Sequence, residues 1–262
     1  MSYSTMKYEV ADGVATITLN RPDEANALDL EMSKQLFDVA VRCDEDPDVR
    51  AVILTGTGKM FCAGGDVAFF STQGEKLPTM VKHMTMYLHG AVSRLSRMDA
   101  PVISAVNGTA AGAGFSLAIM GDIVMSADSA KFTMAYTRLG VSPDGSSSYF
   151  LPRRVGTKRA LDLMLTNRLL SAAEAESWGM VDYVHPAETL MDEARRMAAM
   201  LAEGPTKAYG RVKNLVHDSM HETLESQMER ETVGIAESMR SEDGREGVDA
   251  FVNKRKADFR GR

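Results

Sequence analysis

The sequence predicts an α/β fold, and three observations carry that expectation. Short, wholly apolar runs suited to buried parallel strands alternate with segments of helical periodicity. Two of the strand-to-helix junctions are glycine-rich, and from about Leu190 onward the pattern is helical throughout. Alternation of this kind favours a parallel sheet with right-handed crossovers.

Taken in order, Tyr8-Glu9-Val10 and Val14 to Leu19 flank Ala11-Asp12-Gly13, and a D-G turn between alternating runs predicts a hairpin. Asn26-Ala27-Leu28-Asp29 offers capping side chains for a helix in which Leu30, Met32, Leu36, Phe37, Val39 and Ala40 recur at near-helical spacing. Asp44-Glu45-Asp46-Pro47 ends it. Val49 to Thr55 reads as a buried parallel strand, followed by a first glycine turn over Phe61-Cys62-Ala63-Gly64-Gly65-Asp66-Val67. A helix is predicted over Leu77 to Met98, and Asp99-Ala100-Pro101 breaks it. The strand Val102 to Val106 then feeds a second glycine turn, Asn107 to Gly114. Phe115 to Met120 reads as a helix, and Ile123-Val124-Met125 and Lys131 to Met134 as strands.

After Leu151-Pro152 the pattern is almost entirely helical, with a capping-box match at Ser171-Ala172-Ala173-Glu174 and one further strand predicted over Val181 to Val184. Pro205 is the main interruption of the charged helices beyond Leu190, and Lys254-Arg255-Lys256 forms a basic tail. No fixed-period repeat and no low-complexity segment is present. The expected organisation is a core over 1–189 and a helical region over 190–262. A long helical tail that cannot bury both faces alone usually packs on a partner subunit, the alternative being a solvated helix pair on the same subunit.

A net charge of −6 argues against nucleic acid as a partner, because such binding is driven by cationic side chains. The two cysteines, Cys43 and Cys62, make neither a disulfide framework nor a zinc site, so they are expected to be buried thiols in a reducing compartment. Met1-Ser2-Tyr3-Ser4-Thr5 has no leader-like character, and no apolar run approaches the ~18 residues of a membrane span. A soluble, cytoplasmic protein is expected. Among 19 methionines, Met80, Met84, Met86, Met120 and Met134 lie in apolar stretches that suit either core filling or an adaptable pocket.

Each glycine turn can aim bare backbone N–H groups at one point, which is how an oxyanion hole is built. No G-x-S-x-G elbow is present, and Gly108 to Gly114 lacks dinucleotide-fingerprint spacing. His83 and His89 share a helix, and His217 and His221 have i, i+4 spacing without a third ligand, so no metal is expected. Asp144 stands out in Val141-Ser142-Pro143-Asp144-Gly145, bordered by small residues and by Tyr149-Phe150-Leu151, where a carboxylate would be partly desolvated. P-D-G is also an ordinary turn tripeptide.

The two glycine turns, Pro143-Asp144-Gly145, Leu151-Pro152-Arg153 with Val155-Gly156, and Leu170 to Ala175 with Trp178-Gly179-Met180-Val181 together resemble the enoyl-CoA hydratase/isomerase (crotonase) superfamily. Leu19-Asn20-Arg21-Pro22 with Asn26-Ala27-Leu28 is similar to its opening pattern. The resemblance covers essentially the whole chain. It implies a spiral of repeated strand-strand-helix turns, a trimer-forming C-terminal region, and acyl-CoA thioester chemistry through an enolate, with coenzyme A as part of the substrate and no separate cofactor.

Carried over, the oxyanion donors fall on the N–H groups of Gly65 and Ala113, with Gly112 beside the latter. The two catalytic glutamates of hydratases fall on Ser116 and Tyr136. Neither replaces a carboxylate, so hydration is disfavoured. Asp144 matches the aspartate of isomerases such as those of phenylacetate breakdown, and of a dehalogenase branch in which it is a nucleophile. The resemblance places coenzyme A contacts on backbone around Ala25, Ala27, Leu28, Ala63, Asp66 and Val67, and at Phe251 and Lys254 from a neighbouring subunit. The identity of the acyl group is expected to depend on pocket shape around Phe69, Phe70, Met84, Tyr87 and Tyr149. The expected activity is enoyl-CoA isomerisation with Asp144 as base. The alternatives are a hydratase, an acyl-CoA hydrolase or dehalogenase using Asp144, or a coenzyme A-binding protein without turnover.

Overall fold

The computed structural model describes residues 3–262; Met1 and Ser2, the start of the segment read for a leader, lie outside the described residues. β1 (Met6–Ala11) and β2 (Val14–Leu19) pair antiparallel around Asp12 and Gly13, both at positive φ, as the D-G turn predicts. α1 (Leu30–Glu45) is capped by Asp29, whose carboxylate accepts from the Met32 N–H at 2.7 Å. Asn26 does not cap it. It is fully buried, and its amide donates to the Thr57 and Met60 carbonyls at 2.9 and 2.8 Å, tying the loop before α1 to the strands beyond it.

Next come β3 (Ala51–Gly56), β4 (Met60–Cys62), α2 (Val67–Ser71) and α3 (Leu77–Arg97). β5 (Val102–Val106), β6 (Thr109–Ala111) and α4 (Ala113–Ile119) follow, then β7 (Ile123–Ala127) and β8 (Lys131–Thr133). α5 (Ser147–Thr166) bends at Gly156, and β9 (Leu170–Ser171) runs directly into α6 (Ala172–Ser177), which starts on the predicted capping box of Ser171 and Glu174. β10 (Tyr183–His185) precedes the four helices α7 (Leu190–Ala202), α8 (Thr206–Ser219), α9 (Leu224–Arg240) and α10 (Glu242–Val252).

The strands form two sheets, ordered β1-β2-β3-β5-β7-β10 and β4-β6-β8-β9. Each turn of the chain sends one strand to each: β3 then β4, β5 then β6, β7 then β8. This is the strand-strand-helix spiral the resemblance implies. Pairing from β2 to β10 in the larger sheet is parallel. β3 and β5 lie at its centre, and their apolar residues are inaccessible to solvent, which is why they read as unbroken apolar runs.

The smaller sheet corrects the sequence reading, since both glycine segments begin as strand. β4 and β6 are only three residues each, too short for local preference to define them, and they acquire strand geometry from pairing with one another, and β6 with β8.

α1 packs on α3, and α7 lies across β3, β5 and β7. α8 is fixed to the core by the buried Lys213, whose ammonium lies 2.9 Å from the Asp122 carboxylate and donates to the Ala100 carbonyl at 2.9 Å. Beyond it α9 and α10 pack mainly on their neighbours in sequence, and Leu224, Met228, Val233, Ile235 and Met239 of α9 remain exposed. Cys43 and Cys62 are both buried free thiols, as expected. Among the described residues no helix is long and apolar enough to cross a membrane, and no group of three or more His, Cys, Asp or Glu side chains is arranged to hold a metal ion.

Candidate active site

The two glycine turns meet where β4 and β6 end side by side. Gly64 has φ +95°, and a Cβ there would sit 2.8 Å from the Ala111 carbonyl oxygen and 3.2 Å from the Ala113 nitrogen. Glycine is therefore required both for the turn and for the approach of the two backbones. Loop 25–28 is zipped onto the first turn: the Ala63 N–H donates to Ala25 O at 3.0 Å, the Leu28 N–H to Gly64 O at 2.7 Å, and the Asp66 N–H to Leu28 O at 2.9 Å. Leu28 and Gly65 thus form a parallel bridge. In that pattern Leu28 bonds the residues on either side of Gly65, and the N–H of Gly65 is turned away from it.

Ala113 is the first residue of α4, where a helix leaves its N–H groups unpaired. Among the described residues neither the Gly65 nor the Ala113 N–H has a protein acceptor. The two adjoining turns thus each carry an unpaired backbone donor, that of Ala113 at the start of a helix.

One turn further along α4 stands Ser116, on the same helix face and fully buried. Its hydroxyl donates to the Asp144 carbonyl at 2.9 Å and lies 3.1 Å from the Tyr136 hydroxyl. The Tyr136 O–H donates to Asp144 Oδ1 at 2.6 Å. Burial raises the Tyr136 pKa most, and the neighbouring Asp144 charge raises it further, so the phenol keeps its proton and serves as a donor. Asp144 Oδ2 has no protein partner among the described residues.

The turn that presents this carboxylate is held from three sides. Ser147 Oγ donates to the Asp144 carbonyl at 2.9 Å, the Gly145 N–H donates to His89 Nε2 on α3 at 3.2 Å, and Gly145 packs on Ser116. With φ +60°, and with 2.9 Å between the place of a Cβ and that of Ser116, Gly145 tolerates no side chain.

The structure therefore brings together Gly65, Gly112, Ala113, Ser116, Tyr136 and Asp144, with Ala25, Ala27, Leu28, Ala63 and Asp66 in the paired loops beside them. Val67 opens α2 and is half exposed. The backbone N–H and carbonyl of Leu28 are both engaged in joining the loops. Phe70 lies against the site, its ring 2.7 Å from where a Cβ on Gly65 would be. Met84 is buried on α3. The Tyr87 ring lies 6.1 Å from that of Phe37 on α1. Tyr149 lies under the Arg153 guanidinium at 3.6 Å.

Phe251 and Lys254 do not join this cluster within the chain. Phe251 is 85 % exposed on α10, at the edge of an apolar cavity of about 470 Å³ shared with α8 and α9. Cys62 ends β4 beneath the first turn, and burial pushes its thiol up to about 12, leaving it inert near neutrality. Sequence reasoning missed three residues here: Arg21, Asn26 and His89 as a turn acceptor. The first two lie in the quoted Leu19 to Leu28 pattern, but nothing local tells which carbonyls they reach.

Residues 9–262 match the enoyl-CoA hydratase/isomerase family. The 1,2-epoxyphenylacetyl-CoA isomerase of Escherichia coli is 41% identical over 254 residues, 97% of each chain. The 4-chlorobenzoyl coenzyme A dehalogenase-2 of an Arthrobacter species is 34% identical over 232 residues, covering 88% of this chain and 84% of its own. The crystal structure of an enoyl-CoA hydratase from Bacillus anthracis superposes with a TM-score of 0.93 at 30% identity, covering 99% of this chain and 100% of the other. With the paired glycine turns, the two-sheet spiral and a match that spans nearly its whole length, this chain belongs to the enoyl-CoA hydratase/isomerase family.

Proposed function

We propose that the protein is an enoyl-CoA isomerase that moves a double bond between the β,γ and α,β positions of an acyl-CoA. The observation behind this reading is that Asp144 is the carboxylate in the hydrogen-bonded group of Ser116, Tyr136 and Asp144. A hydratase needs one group to activate water and another to protonate the α-carbon, and Ser116 and the protonated Tyr136 supply neither as a carboxylate. A double-bond shift needs only one base.

In this reaction the Gly65 and Ala113 N–H groups receive the thioester oxygen as an oxyanion hole. Asp144 Oδ2 removes a proton from C2, and the C–H electron pair moves into the C1–C2 bond as negative charge passes to the thioester oxygen, giving a dienolate. The same carboxylic acid then returns the proton to C4, leaving the double bond between C2 and C3. Donors aimed where charge develops supply most of the rate gain, about 10² to 10³ for each. Tyr136, donating to Oδ1, fixes the carboxylate so that Oδ2 faces the substrate. Loops 25–28 and 63–67 take coenzyme A through backbone, and the exposed apolar face of the C-terminal helices joins subunits into a trimer or a pair of trimers.

Incubation with a 3-enoyl-CoA and, separately, a 2-enoyl-CoA tests this reading. Double-bond transfer without change of mass is expected to outrun the mass gain of hydration by a wide margin, and hydration at equal or greater efficiency would overturn the assignment. The Arthrobacter relative favours a second reading, in which Asp144 attacks the substrate. That reading predicts a covalent aspartyl adduct in quenched protein.

A further inference from the structure

Arg21 stands just before Pro22, and its side chain is only 16% exposed. Its guanidinium donates to the Ala27 carbonyl at 2.6 Å and to Asp66 Oδ2 at 3.0 Å, and lies 3.4 Å from the Asp29 carboxylate. The partners belong to different elements. Ala27 is in loop 25–28, Asp29 caps α1, and Asp66 follows Gly65 and caps α2 by accepting the Phe69 N–H at 2.9 Å.

Asp66 is thereby fixed through three of its groups: its N–H by Leu28 O, Oδ1 by Phe69 and Oδ2 by Arg21. Gly64 and Gly65 have no side chains of their own to lock the peptide between them, so the direction of the Gly65 N–H depends on what holds the flanking residues. A guanidinium fork reaches a carbonyl and a carboxylate at once with fixed geometry, which the single charge of a lysine does not.

We propose that Arg21 is a positioning residue for the Gly65 N–H, clamping loop 25–29 to the turn that carries it. The proposal rests on the reading of Gly65 as a donor to the thioester oxygen. It assigns Arg21 an effect on the polarised thioester rather than on coenzyme A affinity.

The test is the carbonyl stretch of bound butyryl-CoA, a saturated thioester with no double bond to move, read by isotope-edited infrared spectroscopy. In the wild type the band is expected at lower frequency than in water. Arg21→Gln is expected to return it toward the free value and to lower kcat on a 3-enoyl-CoA by about 10- to 100-fold, with KM changed by no more than about threefold. Asp66→Asn keeps an acceptor for the Phe69 N–H while weakening the Arg21 contact, so it is expected to shift the band the same way should Arg21→Gln fail to fold. Arg21→Lys is expected to fall between wild type and Arg21→Gln.

An unmoved band in the folded variants, or a raised KM with unchanged kcat, would overturn the proposal. A wild type that polarises the carbonyl but moves no double bond would overturn the isomerase reading alone, and Arg21 would then be judged on the band.

Discussion

The two oxygens of Asp144 have different surroundings, and that asymmetry underlies the proposed chemistry. Oδ1 accepts the Tyr136 proton at 2.6 Å, while Oδ2 is without a protein partner among the described residues. Tyr136 can play this part only while protonated, and its pKa is raised above the ordinary value of 10.0, first by burial and then by Asp144. The folded protein therefore keeps a proton that the unfolded chain releases above about pH 10. The stabilisation is present in full below that pH and is lost as the pH rises toward the folded pKa. Tyr136→Phe leaves Oδ1 without its donor, and near pH 8 it is expected to cost about 1–3 kcal/mol. The stability gap between wild type and Tyr136→Phe, measured by urea unfolding, is expected to narrow above pH 10. A gap that does not change with pH would mean that the phenol proton plays no part. Ser116, Tyr136 and Asp144 were singled out from the sequence through the family pattern, but the Tyr136–Asp144 bond was not legible, because it joins residues eight apart across an irregular turn.

Elements with strong local signals were legible as such. The hairpin around Asp12-Gly13, the Asp29 cap of α1, the apolar runs of β3 and β5 and the capping box of α6 all follow from side-chain chemistry within a few residues. β4 and β6 were not legible, because strands of three residues carry too little local pattern and exist only through their partners. The glycine turns themselves were legible, since each strand runs straight into the glycines that follow it. Asn26 shows the same limit: its residue type suits a cap, yet full burial against the Thr57 and Met60 carbonyls gives it a different task. The donors of Gly65 and Ala113 depend on both kinds of information. Glycine and alanine sequence supplies bare backbone, but only the β4–β6 pairing brings the two turns together.

Across the whole molecule, a geometry that repeats is encoded without a sequence that repeats. β3/β4, β5/β6 and β7/β8 each place one strand in each sheet, and a buried parallel strand needs only an apolar run, so different residues satisfy successive turns. The helices from Leu190 onward divide into two kinds. α7 lies on the sheet and α8 is anchored by Lys213, whereas α9 leaves Leu224, Met228, Val233, Ile235 and Met239 exposed. Apolar side chains that one chain leaves uncovered suit a subunit interface. Light scattering coupled to size exclusion is expected to give three or six times the chain mass, and truncation after Glu203 to give insoluble or inactive monomeric protein. A soluble, active monomer from that truncation would show that these helices do not join subunits.

Whether Asp144 is the base of a double-bond shift is decided by the steady-state isomerisation rate of Asp144→Asn on a 3-enoyl-CoA. Asparagine is nearly isosteric and makes the same local turn bonds, so a purely structural Asp144 would be replaced with little loss. With Asp144 as the base, kcat is expected to fall by at least ~10² while KM stays within a few fold of the wild type. Wild-type activity in Asp144→Asn would leave the reaction without a base and contradict that role.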